Sequence, residues 1–143
     1  MGASHFERHG FGKTIKEAFI MAEEEATDEF GHQDGYSGDL NSKHAWEEVL
    51  VPKGVNPLKY LRWIEIAADS LYEEKERAKK RILKKIPAHH QSMVLKYAKT
   101  YRDKYGKALG VKIKGKEATK YRAQNRLKGK RGDVFLFFGT ASC

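Results

Sequence analysis

Gly132-Asp133-Val134-Phe135-Leu136-Phe137-Phe138-Gly139 is the stretch from which the rest of the chain can be read. Its five consecutive apolar residues are too few for a helix and lack polar alternation. An extended strand here must therefore meet apolar partners on both faces. The strand belongs at the centre of a sheet. Just upstream, Val111 and Ile113 alternate with Lys112 and Lys114, the pattern of a half-buried strand whose open face is basic. These two strands are expected to form an antiparallel pair packed on helices.

Those helices announce themselves by capping and periodicity. Asn56-Pro57 places a cap residue before a first-turn proline. Leu61, Ile64, Ala68, Leu71, Ala78 and Ile82 then follow a three-four rhythm interrupted only by Lys75, so one helix is expected to run on until Pro87. A further helix is expected over 88–105, with Val94, Tyr97, Ala98, Tyr101 and Tyr105 on one side and Gly106 as its stop. Nearer the N-terminus, Thr14 and Glu17 form a capping box ahead of the stripe Ile15, Ala18, Phe19, Ala22 and Ala26. Residues 4–11 alternate as a short strand, and Trp46–Val51 can form another, limited by Pro52. Between them, residues 31–43 are dense in turn formers and read as a long exposed loop, while 115–132 read as polar and glycine-flanked. The expected architecture is α+β: one domain over 1–143, a small antiparallel sheet against two or three helices, with a long 31–43 loop.

Charge divides the chain. Of its 28 Lys/Arg and 19 Asp/Glu, residues 1–50 hold 4 and 11, so the remaining stretch carries nearly all of the positive excess. A concentrated positive field attracts polyanions. The candidate cations are Lys79, Lys80, Lys84 and Lys85, then Lys96, Lys99 and Arg102. Further along come Lys112, Lys114, Lys116, Lys120, Arg122, Arg126, Lys128, Lys130 and Arg131, among which Glu117 is the one intervening acid. Side chains of this kind neutralise phosphates and release counterions. Tyr121, between Lys120 and Arg122, is the candidate for stacking on an unpaired base, worth about 1–3 kcal/mol per base; the tyrosines at 97, 101 and 105 are expected at the edge of the core instead.

Two other chemistries are legible. Glu23, Glu24, Asp28 and Glu29, with Asp34, Tyr36 and Asp39 of the glycine-rich segment, could dock on a basic groove of a partner protein, or pair with the chain's own cations. His5, Glu7 and His9 share one face of the first strand and are ligand types of a two-histidine, one-carboxylate metal centre; His32, Asp34, Asp39 and His44 could complete it. A polar outer face explains the row more simply. No catalytic constellation is read from any other motif. Gly31, Gly35 and Gly38 do not match a phosphate-binding loop. The lone Cys143 excludes an internal disulfide and a cysteine zinc cage. Without a signal-like leader or an apolar run of ~20 residues, a cytoplasmic protein with no cofactor and no membrane contact is expected.

Phe11-Gly12-Lys13-Thr14 running to Glu17-Ala18-Phe19, then Asp34-Gly35-Tyr36-Ser37-Gly38, and finally Phe137-Phe138-Gly139-Thr140-Ala141-Ser142 resemble segments of small uncharacterised proteins from phage and mobile-element genomes. That resemblance implies action on host or defence machinery and transfers no activity or binding residue. The function expected is a non-enzymatic basic protein that engages RNA, DNA or a ribonucleoprotein through phosphate contacts. The alternatives are an inhibitor of a host protein and a small metal-dependent nuclease or hydrolase.

Overall fold

The computed structural model describes residues 2–30 and 39–142. Its elements are β1 (Ala3–Gly12), α1 (Ile15–Phe30), a 3-10 turn (Leu40–Ser42), β2 (Trp46–Glu48), α2 (Pro57–Leu71) and α3 (Glu76–Leu83). A second 3-10 turn (Ala88–His90), α4 (Gln91–Arg102), β3 (Ala108–Ile113), α5 (Lys116–Gln124) and β4 (Asp133–Ser142) complete them. The sheet order is β1-β4-β3-β2. The phenylalanine-rich strand β4 is internal as expected, antiparallel to β1 and to β3. The sheet is mixed, because β2 runs parallel to β3 with Trp46 opposite Ala108. The crossover through α2, α3 and α4 brings the chain back to run in the same direction, which a tight hairpin cannot do.

Alternation along β4 divides the core in two. Val134, Leu136 and Phe138 pack with Leu61, Ile64, Val94 and Tyr97 of α2 and α4. Phe135, Phe137 and Ala141 pack with Ala18, Phe19, Ala22 and Ala26 of α1. Both faces of this strand are thus covered, α1 on one side and α2 and α4 on the other. Leu83 of α3 and Ala118 and Tyr121 of α5 join the α2/α4 side. Alanines let α1 lie low on the sheet, and Gly10 completes the fit: a Cβ there would collide with the Ala18 carbonyl oxygen.

Local chemistry explains the boundaries. The Asn56 side chain accepts from the amides of Leu58 and Lys59 at the start of α2. Thr14 Oγ1 accepts from the Glu17 amide at 3.2 Å, but Glu17 Oε2 accepts from the Lys13 amide, one residue before the expected one. The long helix expected from 57 onward breaks between Leu71 and Glu76. A continuous helix would bury Lys75 in its apolar stripe. The break instead puts Glu76 in the first turn of α3 and Lys80 and Arg81 in its last, the arrangement favoured by the helix dipole. Residues 115–132, read from the sequence only as polar and glycine-flanked, contain α5, whose apolar side is too narrow to give a clear helical period. Part of the expected exposed loop is also corrected: Leu40, Asn41, Ser42 and Lys43 are buried, whereas 31–38 lie outside the described residues. Among the described residues no helix is long and apolar enough to cross a membrane.

Candidate nucleic-acid interface

The sheet stands between the acids of α1 and most of the candidate cations. On the α1 side, Arg8 projects from β1 and donates from Nε and Nη2 to the two carboxylate oxygens of Asp39 at 3.0 and 2.9 Å. The same guanidinium meets Glu29 at 2.8 Å and Glu25 at 3.9 Å. The hydrogen bond to Asp39 is the largest cause holding the Arg8 pKa above its ordinary value. Glu25 and Glu29 of α1 therefore engage an arginine of β1. Glu24 and Asp28 are exposed and Glu23 half-buried; Asp34 and Tyr36 lie outside the described residues.

The opposite side carries the cations. On α3 the apolar Ala78, Ile82 and Leu83 turn inward, leaving Arg77, Lys80, Arg81 and Lys84 exposed at three- and four-residue spacings, which put them on one helix face. Lys79 is half-buried and Lys85 exposed. Lys96 and Lys99 are exposed on α4. Arg102, at its end, stacks 4.2 Å from the Tyr72 ring and donates to the Leu71 carbonyl. From α5 and the segment after it, Lys116, Lys120, Arg126, Lys128, Lys130 and Arg131 are exposed. Among the described residues, no carboxylate lies within 4.0 Å of any cation of α3, α4 or 116–131.

Other expected contacts have different surroundings. Lys112 points away from the α2/α4 side and pairs with Asp133 at 3.4 Å. With Lys114 it lines an open pocket of about 360 Å³ beside residues 48–55, apart from the helical cations. Tyr121 stacks on His9 with ring centroids 5.1 Å apart, and its hydroxyl is buried with no hydrogen-bond partner among the described residues. Burial pushes the Tyr121 pKa up and that of His9 down. Arg122 donates to the carbonyls of Lys130 and Gly132 and lies 4.9 Å from the Phe11 ring centroid. It fastens the end of the basic segment to β1.

His5, Glu7 and His9 do share a face, yet each turns to a different neighbour. His5 Nδ1 lies 3.1 Å from Thr140 Oγ1 and 3.3 Å from the Tyr101 hydroxyl, Glu7 reaches Arg62 at 4.0 Å, and His9 stacks on Tyr121. Among the described residues no three histidine, cysteine or acidic side chains are grouped to hold a metal ion.

The sequence reading missed two polar features. Lys43, 1% exposed, donates from Nζ to the Asp103 carbonyl at 3.0 Å; nothing in its turn-rich context marks it as buried. Tyr72, 59% exposed, becomes the platform for Arg102 only because α2 stops beside it. The chain matches no protein-family model, no curated protein and no solved structure.

Proposed function

We propose that this protein binds RNA, DNA or a ribonucleoprotein in the cytoplasm, by phosphate contacts from α3, α4 and the 116–131 segment and without chemistry on the bound strand. If the phage resemblance holds, the cytoplasm is the host's and the protein is a takeover or counter-defence factor. One observation carries the reading: a four-stranded sheet stands between the acids of α1 and the cations of α3, α4 and 116–131, which have no carboxylate within 4.0 Å among the described residues. Surface ion pairs add little to stability, and their carboxylates compete with phosphate for the same cation. Cations left unpaired on one layer keep their full attraction for a polyanion.

Fluorescence anisotropy with mixed-sequence RNA and DNA, repeated over a range of salt, tests it. Log affinity is expected to fall linearly with log salt, by about 0.9 per phosphate neutralised on duplex DNA and about 0.7 on single strands. Reversing Lys80, Arg81 and Lys84 to Glu should lower both affinity and slope, and so should reversing Lys116, Lys120 and Lys128. Binding unchanged by either reversal, or absent at low salt, overturns the proposal. Retention of a host protein after nuclease treatment, lost on neutralising Glu24 and Asp28, would replace it with the inhibitor reading.

A further inference from the structure

The two edges of the sheet are unlike. β2 is three residues long, and brevity protects it. β1 spans Ala3–Gly12 in unbroken register with β4, contains no proline, and has exposed side chains at Ala3, Ser4, His5 and Glu7. The direction of its outer hydrogen-bonding groups follows from alternation across the sheet. The amide of Val49 donates to the Gly110 carbonyl and that of Ala108 to the Ala45 carbonyl, so even residues of β3 bond towards β2 and odd ones towards β4. Their opposites on β4, Val134, Leu136 and Phe138, then bond to β3, which leaves the odd residues of β4 to bond the even residues of β1. The outward groups of β1 are those of Ala3, His5, Glu7, His9 and Phe11. Phe11 agrees: its amide meets Met21 Sδ at 3.3 Å.

We propose that this edge is closed by the same edge of a second copy, β1 against β1 in antiparallel sense, making one sheet continuous through a two-fold axis at Phe6. Charge selects the register. Centred on Glu7, the pair would set Glu7 against itself; centred on Arg8, it would set Arg8 against itself. Centred on His9, it would need the Phe11 amide that Met21 already occupies. Centred on Phe6, His5 of each copy faces Glu7 of the other, Ser4 faces Arg8 and Ala3 faces His9. That register places an imidazole opposite a carboxylate twice, a favourable cross-strand pair. His5 directs Nδ1 at Thr140 and Tyr101, which leaves Nε2 for the facing Glu7. The four directly opposed pairs of outward residues would exchange about eight main-chain hydrogen bonds.

Sedimentation velocity and cysteine pairing test it. The unaltered chain is expected to sediment with twice the mass of one chain, and a single-chain mass at every concentration up to the high micromolar range overturns the proposal. Glu7→Pro deletes one outward N–H and no bond to β4, so a folded Glu7→Pro chain should be monomeric; a dimer that survives it places the contact elsewhere and overturns the proposal. With Cys143→Ser as background, His5→Cys and Glu7→Cys chains should cross-link when mixed, since opposed residues of this type sit about 5.5 Å apart between Cα atoms, within disulfide reach. Neither should cross-link efficiently alone. Efficient linking of Glu7→Cys chains to one another overturns the register, and the cysteine test stands even if the proline variant fails to fold.

Discussion

Lys43 Nζ donates to the carbonyl of Asp103, the residue that caps α4, so a buried ammonium closes the C-terminal end of that helix. The helix dipole favours a cation there, but the loss of water opposes it. Burial lowers the Lys43 pKa from its ordinary 10.5 to about 8, with the Asp103 carboxylate acting in the other direction. A lysine whose pKa falls on folding destabilises the fold while both states are protonated. Between about pH 8 and 10.5 the unfolded chain binds a proton that the folded chain has released, so stability rises with pH across that window.

Thermal melts of the native chain and Lys43→Met between pH 7 and 10 should therefore diverge in one direction. The native chain gains stability relative to the variant as pH rises, by an amount on the order of a few kcal/mol over the full window. Tyr60, Tyr101 and Tyr121, whose pKa values burial raises, act with opposite sign above pH 10 in both proteins and cancel in the comparison. Parallel curves would show that Lys43 does not titrate in this range.

Arg8 links β1 to both α1 and the turn at Asp39, and its side chain is only 13% exposed. Replacing it with methionine keeps the stem but leaves Asp39, itself 15% exposed, without its bidentate partner. Chemical denaturation should show a loss of about 3 kcal/mol, the scale for removing one member of a largely buried ion pair. Asp39→Asn in the same background should recover part of it, because a half-buried neutral amide needs the guanidinium less than a carboxylate does.

Arg122 and Lys120 are two residues apart in one basic run, yet the structure gives them different work. Arg122→Lys should lower stability by about 1–2 kcal/mol, since a lysine cannot reach two carbonyls and cover the Phe11 ring with one planar group. Lys120→Ala should stay within about 0.5 kcal/mol of the native chain while weakening polyanion binding. The comparison separates structural from binding cations by melting temperature and salt slope measured on the same samples.

That difference marks where sequence reading stops. The central strand was legible because an apolar run bounded by glycines admits few alternatives, and α1 and the start of α2 because Thr14 and Asn56 have one strong local use. The break at 72–75 was not, since a three-four stripe continues through it and only the cost of burying Lys75 stops the helix. α5 escaped because Ala118 and Tyr121 alone give too narrow an apolar face. For the candidate interface, composition identified the cations but could not tell those aimed at solvent from Arg122, held by carbonyls eight and ten residues away, or Lys112, held by Asp133. Such assignments depend on contacts between distant parts of the chain.

Tyr60 and Tyr97 give a paired test of buried hydroxyls. Both are buried, but Tyr97 accepts from the Leu50 amide at 3.1 Å, whereas the Tyr60 hydroxyl has no partner among the described residues. Tyr60→Phe should be neutral or stabilising by up to about 1 kcal/mol, and Tyr97→Phe destabilising by about 1–2 kcal/mol because an amide is left unpaired. Urea denaturation of the two variants measures both signs at once.

Arg126 sits at φ 56°, a left-handed conformation that ends α5 and that glycine adopts without strain. Its side chain is exposed and has no carboxylate within 4.0 Å among the described residues. Arg126→Gly should therefore raise stability by roughly 0.5–1 kcal/mol, about 1–2 kcal/mol of left-handed strain relieved less about 0.4–1 kcal/mol for the freer unfolded chain. The same change removes a cation from the 116–131 segment, so the salt slope of duplex binding should fall by about 0.9 if that side chain neutralises a phosphate. Opposite movements of melting temperature and affinity in one variant exclude damage to the fold as the cause of weaker binding. An unchanged slope assigns Arg126 to the cap of α5 alone, and the phosphate contacts then rest on its neighbours Lys116, Lys120, Lys128 and Lys130.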